Sequence, residues 1–151
     1  KEEKACNRLK FYPARYPNSL AKILLNQLPR LTEMNEHRQE IANIYDKLLD
    51  NTKMKKPKIT KDNIFLRYTI LVNNPEKIIK IAKQHKIILG NWYDSVIAPK
   101  DKDVDMLRTG YINSSCPNAE KLAQTTVNLP TNKSITFVQA KMIAELINTN
   151  L

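Results

Sequence analysis

The chain has 151 residues, of which 42% are hydrophobic and 26% charged, with 2 Gly and 8 Pro. This composition excludes disordered and fibrous proteins, and no apolar run approaches the ~18 residues of a membrane-spanning helix. The sequence therefore predicts a single soluble globular domain over residues 1–151, large enough to bury a hydrophobic core of its own.

The two cysteines, Cys6 and Cys116, are far apart and form neither a disulfide framework nor a Cys-x-x-Cys metal motif. This usage is typical of a reducing compartment, so we expect a cytoplasmic protein. The chain begins at Lys1 without an initiator Met, and no secretory signal is recognisable there. We therefore expect a fragment of a longer protein.

A formal net charge of +10 favours a polyanionic partner, because Lys and Arg neutralise phosphates. However, lysine outnumbers arginine 19 to 6, and the chain is also rich in Asn and Ile, a bias that an AT-rich genome produces without functional selection. The densest basic run, KMKKPKITK, falls within residues 51–62, which we interpret as a solvated basic linker. We expect no specific nucleic-acid binding. A basic module for nucleic acid or an acidic partner remains the alternative function.

Apolar residues recur at helical spacing between Asn18 and Asp50, which predicts two helices or one kinked helix over residues 20–50. Pro29 cannot donate a hydrogen bond to the helical ladder. A break is therefore expected near residues 29–32, with Thr32 as the N-cap of the second part.

A strand, a helix and a second strand are predicted next. Residues 64–72 (IFLRYTILV) are rich in β-branched and aromatic types, which favours a strand. Asn74 and Pro75 are a capping residue and a favourable first helical residue, so a helix is expected over residues 75–86. Residues 87–97 then predict a strand interrupted at Gly90 by a bulge or turn.

Residues 98–116 are polar and show neither the helical nor the strand period, which predicts a long loop. Ser115 or Cys116 then caps a helix over residues 117–126, which stops before Asn-Leu-Pro at 128–130. Thr136 and Gln139 form a capping box before a last helix at 137–148. The fold class predicted is α+β, with a small, mostly antiparallel sheet covered by helices.

The usual catalytic and metal-binding patterns are absent from the sequence. There is no phosphate-binding glycine loop, His-Glu-x-x-His motif or Gly-x-Ser-x-Gly turn. Asp101, Asp103 and Asp105 alternate as calcium ligands do, but neither the Gly nor the closing Glu of a calcium loop follows. We expect no metal site and no catalytic residue within this chain.

Several motifs, taken in order, resemble the DegT/DnrJ/StrS family. They are RYPNSLA at 15–21, QL at 27–28, NEHR at 35–38, HKIILGNWYDSVIAP at 85–99 and SSCPNAEKLAQTTVNLP at 114–130. Members of that family are pyridoxal-phosphate (PLP)-dependent aminotransferases, most of which act on nucleotide-linked keto-sugars. The order of segments is similar to the family's small C-terminal domain, of the type I aminotransferase fold, over nearly the whole chain.

The resemblance implies a longer parent enzyme. Its large N-terminal domain, which carries PLP and the Schiff-base lysine, lies upstream of the region that this sequence matches. We therefore expect the 151-residue chain alone to bind no PLP and to be inactive. The parent is expected to be a homodimer that acts on a nucleotide sugar, in polysaccharide or sugar biosynthesis, with no membrane partner.

The resemblance also implies candidate binding residues for the cofactor. In the family, the segment matching residues 13–18 reaches the neighbouring subunit's cofactor phosphate, commonly through an Asn two positions before the Arg. Here that position is Pro13. The contact is then lost or made by Arg15 or Asn18. The alternatives are a surface charge for Arg15 and a helix N-cap for Asn18.

Trp92 and Tyr93 fall where the family's strand approaches the substrate. An aromatic pair with polar tips suits stacking on a sugar or base, so both are candidate substrate-binding residues. The alternative is core packing, because strand alternation would bury one of the two. Tyr111 and its loop are expected to border the substrate as well.

Overall fold

The computed structural model describes residues 15–92, 94–97 and 109–151. Within these ranges lie helices α1 (Asn18–Gln27), α2 (Leu31–Leu48), α3 (Pro75–Gln84), α4 (Pro117–Thr125) and α5 (Phe137–Asn150), and strands β1 (Arg67–Leu71) and β2 (Thr126–Pro130). The strands form an antiparallel pair. Their inward side chains share one hydrophobic core with α2, α3 and α5. The predicted α+β fold class is confirmed.

The predicted break between the first two helices is confirmed as a 3₁₀ turn at Leu28–Arg30, which contains Pro29. The prediction of Thr32 as an N-cap is wrong, because α2 begins at Leu31 with Arg30 in the N-cap position. Arg30 keeps a right-handed helical backbone (φ −92°, ψ −2°). The chain therefore passes from turn to helix without the extended residue that a capping side chain requires.

Strand β1 lies within the predicted range 64–72 but is shorter, since Ile64 and Leu66 are exposed. Its partner β2 was not predicted as a strand. The sequence places residue 126 at a helix end and residues 128–130 at a break. The strand exists because pairing with β1, in the register Tyr68↔Leu129 and Ile70↔Val127, satisfies its backbone groups. That long-range pairing leaves no local periodic signal.

The prediction of a strand over residues 87–97 is wrong within the described part of that range. Only Gly90 pairs there, through Gly90 N to Asn128 O (2.9 Å) and Asn128 N to Gly90 O (2.8 Å). Lys86, at φ +61°, turns the chain after α3. Leu89 is then buried, whereas Ile88 is 87% exposed. The run is therefore held by the buried Leu89, by Ile87, which packs against the core, and by the Gly90 pair, rather than by a ladder of hydrogen bonds.

The two helix starts predicted from capping motifs are confirmed. The Asn74 side chain accepts a hydrogen bond from Lys77 N (3.0 Å) at the start of α3. Thr136 and Gln139 form both bonds of a capping box before α5. Helix α4 follows Cys116, which makes no side-chain capping bond.

The basic segment 51–62 is attached to the core at its centre. Met54 is 5% exposed, and Lys55 forms an antiparallel bridge with Leu71. The Lys56 ammonium donates to Asp46 O and to Leu49 O (3.1 Å), which places a cation at the negative C-terminal end of α2. Met54 and Lys56 are therefore not solvated, whereas the side chain of Lys55 is exposed.

Of the predicted loop 98–116, residues 98–108 lie outside the described ranges. The described remainder includes Gly110 and Ser114, both with positive φ, before α4 begins. None of the helices in the described ranges is long and apolar enough to span a membrane.

Candidate functional site

The candidate site centres on Trp92, which stacks with Arg67. Arg67 is the first residue of β1, and its guanidinium carbon lies 4.2 Å from the centroid of the Trp92 ring. This distance is that of a cation–π contact. Trp92 is nevertheless 67% exposed, whereas Arg67 is half-buried. The core-packing alternative for Trp92 is therefore not what the structure shows.

Gly90 adjoins this contact. A Cβ atom at this position would lie 3.3 Å from Trp92 Cδ1 and 3.5 Å from both Arg67 Nη1 and Asn128 Cβ. The Arg67 side chain thus extends from β1 across β2 to Gly90 and Trp92. Gly90 therefore lies beside the guanidinium, the indole and Asn128 of β2.

A buried polar pair lies on the same side of the sheet. Thr69 Oγ1 donates to Asn128 Oδ1 (2.8 Å), and Asn128 is 1% exposed. Its amide nitrogen Nδ2 has no hydrogen-bond partner within the described residues. An unpaired buried N–H costs about 1–3 kcal/mol, so the pair is held in place at some cost in stability.

A groove of about 1100 Å³ extends from Arg67 between α5 and the segment that follows α3. Its lining includes two cationic side chains, those of Arg67 and Lys86, and one acidic side chain, that of Glu145. The apolar part of the lining comes mainly from isoleucine, leucine and methionine side chains. The groove therefore combines an apolar surface with an excess of cationic groups.

Arg15 and Asn18 both lie at the start of α1 and are exposed. Asn18 is the first residue of the helix, and Pro17 occupies the N-cap position. The N-cap alternative for Asn18 is therefore not what the structure shows. First-turn N–H groups lack helical partners and carry a positive partial charge, so both residues lie where an anion is favoured.

Tyr111 is bound to the first turn of α4. Its hydroxyl donates to Glu120 Oε1 (2.7 Å), and the same oxygen accepts from Cys116 N (3.3 Å). This hydrogen bond, with desolvation and the negative charge of Glu120, raises the pKa of Tyr111 to about 12. The phenol therefore stays neutral and serves as a donor at every physiological pH. Tyr93, its fellow candidate, lies outside the described residues.

We expect Glu120→Ala to return the pKa of Tyr111 from about 12 towards 10. A raised tyrosine pKa stabilises the fold fully below the unfolded-state value near 10. That stabilisation is lost as pH rises through the folded-state value. Titration of the tyrosine ring carbons by NMR measures this shift, with Lys121→Ala as the control on the neighbouring residue. An unchanged Tyr111 titration in the Glu120 variant would contradict the assigned cause.

The structure brings only part of the predicted site together. Trp92 contacts Arg67, which the sequence did not single out. In the described part of the chain, no hydrogen bond, ion pair or ring contact joins Arg15 or Asn18 to Trp92 or Tyr111. Likewise, no group of three His, Cys, Asp or Glu side chains among the described residues could hold a metal ion.

A sequence model of the DegT/DnrJ/EryC1/StrS aminotransferase family matches residues 7–148. The chain belongs to this family. The resemblance drawn from its motifs is thereby confirmed, and enzymes of this family are generally PLP-dependent. No curated protein sequence matches the chain.

Solved structures of aminotransferases share the fold. A DegT DnrJ EryC1 StrS aminotransferase from Brucella abortus is 21% identical, with a TM-score of 0.73, and the match covers 89% of this chain and 36% of that one. S. venezuelae DesV, crystallised with a ketimine intermediate, is 18% identical, with a TM-score of 0.75. That match covers 95% of this chain and 40% of DesV. The sugar aminotransferase CalS13 from Micromonospora echinospora is 18% identical, with a TM-score of 0.67. That match covers 84% of this chain and 33% of CalS13. The chain thus spans well under half the length of these enzymes.

The described residues do not fit a complete PLP site. Covalent attachment needs a lysine in an enclosed pocket, with an acid for the pyridinium nitrogen and donors for the phosphate. Every described lysine except Lys56 is exposed. The Lys56 ammonium is already bound to two backbone carbonyls and lies 3.7 Å from Asp46 Oδ1. No described lysine is therefore placed to hold the cofactor.

Proposed function

We propose that this chain is the small C-terminal domain of a PLP-dependent aminotransferase that transfers an amino group to a nucleotide-linked keto-sugar. The observation that carries the proposal is the family match over residues 7–148. The chain corresponds to 33–40% of the solved aminotransferases. In this proposal, a preceding domain supplies the cofactor lysine, and the chain alone is inactive.

The surface of α1 supports a missing partner domain. The α1 stripe consists of Leu20, Ile23 and Leu24 of α1 and continues through Leu28 of the 3₁₀ turn to Leu31 of α2; all five side chains are exposed. Helix α1 has no buried residue at all. A run of apolar side chains on one helix face, open to solvent, is typical of a surface that another domain covers. We propose that the cofactor domain of the parent covers the stripe.

The proposed roles of the individual residues follow from this arrangement. Arg15 and Asn18, at the positive end of α1, would bind the cofactor phosphate of the neighbouring subunit in a cytoplasmic homodimer. Trp92, Tyr93 and Tyr111 would contact the nucleotide sugar. The exposed indole of Trp92 supports this role, because stacking on a ring buries apolar surface that is otherwise left in water.

The test compares the 151-residue chain with a longer protein in which the preceding domain is present. Each is mixed with PLP and treated with borohydride, and attached cofactor is measured by mass spectrometry. Transamination of a nucleotide-linked keto-sugar is assayed in parallel. We expect attachment and activity in the longer protein and neither in the chain alone. Stoichiometric attachment to a lysine of the chain itself would contradict the proposal.

The basic binding module remains the alternative function, and the same chain tests it. Scattered cations give weak binding to DNA that modest salt abolishes, since that binding depends on counterion release. We expect this behaviour for duplex and single-stranded DNA in a salt titration. Sequence-selective binding at physiological ionic strength, together with no cofactor attachment in the longer protein, would favour the alternative.

A further inference from the structure

Arg67 and Trp92 form a contact that the proposed function has not yet explained. An exposed indole is costly in water, and an unrestrained one samples several side-chain rotamers. Here the guanidinium carbon lies 4.2 Å from the ring centroid, so the cation covers one indole face. With 67% of Trp92 exposed, the rest of the indole is open to solvent. The ring is therefore fixed on one side and accessible on the other.

Arg67 has no counter-charge bound to it among the residues that the structure describes. It is half-buried, yet it forms no ion pair with any carboxylate in the described ranges. Stacking uses the face of a guanidinium and leaves the N–H donors along its edge available to an anion. Arg67 also lines the groove together with Lys86, and Glu145 is the one carboxylate among the described residues of that lining. The field around Arg67 is therefore attractive to an anionic group.

We propose that Arg67 is a positioning residue, which holds the Trp92 indole ready to stack on a planar ring and offers its own N–H edge to an anionic group on the same ligand. The ligand chemistry is that of a nucleoside diphosphate. This inference rests on the proposed function and adds to it the residue that orients the aromatic contact. Gly90 is part of the arrangement, because a Cβ there would lie 3.3 Å from Trp92 Cδ1 and 3.5 Å from Arg67 Nη1.

The first experiment uses the fact that Trp92 is the one tryptophan of the chain. Its fluorescence anisotropy reports the mobility of this indole alone. We expect Arg67→Ala to lower the anisotropy clearly, because it removes the group that stacks on the indole. Arg30→Ala removes the same charge from a different element and is expected to leave the value unchanged. Circular dichroism confirms that each variant is folded. Arg67→Lys is expected to lower the anisotropy less than Arg67→Ala does.

The second experiment titrates the chain with uridine diphosphate, uridine and pyrophosphate, using Trp92 fluorescence for the two uridine compounds and calorimetry for all three. Uridine diphosphate, with both ring and anion, is expected to bind more tightly than either half. Arg67→Ala is expected to weaken it about fivefold or more, through loss of the oriented ring and of the cation. Arg67→Lys keeps the positive charge but loses the planar guanidinium. Its affinity for uridine diphosphate is expected to lie between those of the wild type and Arg67→Ala.

The outcomes separate this inference from the proposed function. Unchanged anisotropy in folded Arg67→Ala would overturn the positioning role, whatever the activity of the longer protein. Equal affinity of the wild type and Arg67→Ala for uridine diphosphate, or no binding by either, would overturn the ligand assignment. Cofactor attachment and transamination by the longer protein test the proposed function independently of both results.

Discussion

Tyr68→Ala is expected to lower the free energy of unfolding by about 3–5 kcal/mol, the usual cost of removing a large buried ring. Tyr68 is fully buried, and its ring centroid lies 5.5 Å from those of both Tyr45 and Phe65. Its hydroxyl donates to Asp46 Oδ1 (3.1 Å), so the same side chain ties β1 to α2. A loss of this size is a large part of the stability of a typical domain.

Urea denaturation followed by circular dichroism measures this change. Tyr68→Phe keeps the ring and removes only the hydrogen bond to Asp46, so we expect a smaller loss of about 1–2 kcal/mol. Tyr16→Ala, at an exposed position before α1, is expected to change the stability by less than about 0.5 kcal/mol. Equal losses in the Ala and Phe variants would show that the ring contributes little to the core.

The second prediction concerns the α1 stripe and depends on context. Leu24→Lys is expected to leave the stability of the 151-residue chain unchanged, because Leu24 is 47% exposed there. In the longer protein we expect the same substitution to lower the free energy of unfolding by about 2–4 kcal/mol. The loss combines two effects: the apolar surface of one leucine is no longer buried, and the lysine side chain that replaces it is partly desolvated. Denaturant unfolding of both proteins measures the difference.

The matched control is Asn26→Lys. It adds the same charge to the same helix, but residues 24 and 26 lie about 160° apart around an α-helix, so the stripe is left intact. We expect no differential effect from this variant. If Leu24→Lys affected both proteins equally, or neither, the stripe would not be covered by the preceding domain.

The parts of the fold that the sequence predicted well depend on local chemistry. Asn74 and Thr136 mark helix starts because their side chains satisfy N–H groups within the same helical turn. Pro29 marks the 3₁₀ turn because it cannot donate within the helical ladder. Such signals lie within a few residues of their effect, so one sequence is enough to identify them.

The parts that the sequence missed depend on distant partners. β2 is a strand because of its register with β1, and residues 87–97 were assigned to a strand although only Gly90 pairs there. The stacking of Arg67 on Trp92 has no local signal, because it requires Gly90 to lie beside Asn128. For the same reason the motifs that carry the family resemblance pointed to Trp92 but not to Arg67.

The order of the elements along the chain also sets when the domain can fold during synthesis. Tyr45 donates to Pro130 O, a partner 85 residues later, and Asn148 binds Leu48 O across 100 residues. The buried side of α5 completes the same core. While only residues up to the end of α3 have left the ribosome, β1 has no partner strand. The nascent chain therefore exposes an unpaired strand edge until β2 (Thr126–Pro130) emerges, and this is the interval in which chaperone binding or aggregation would compete with folding.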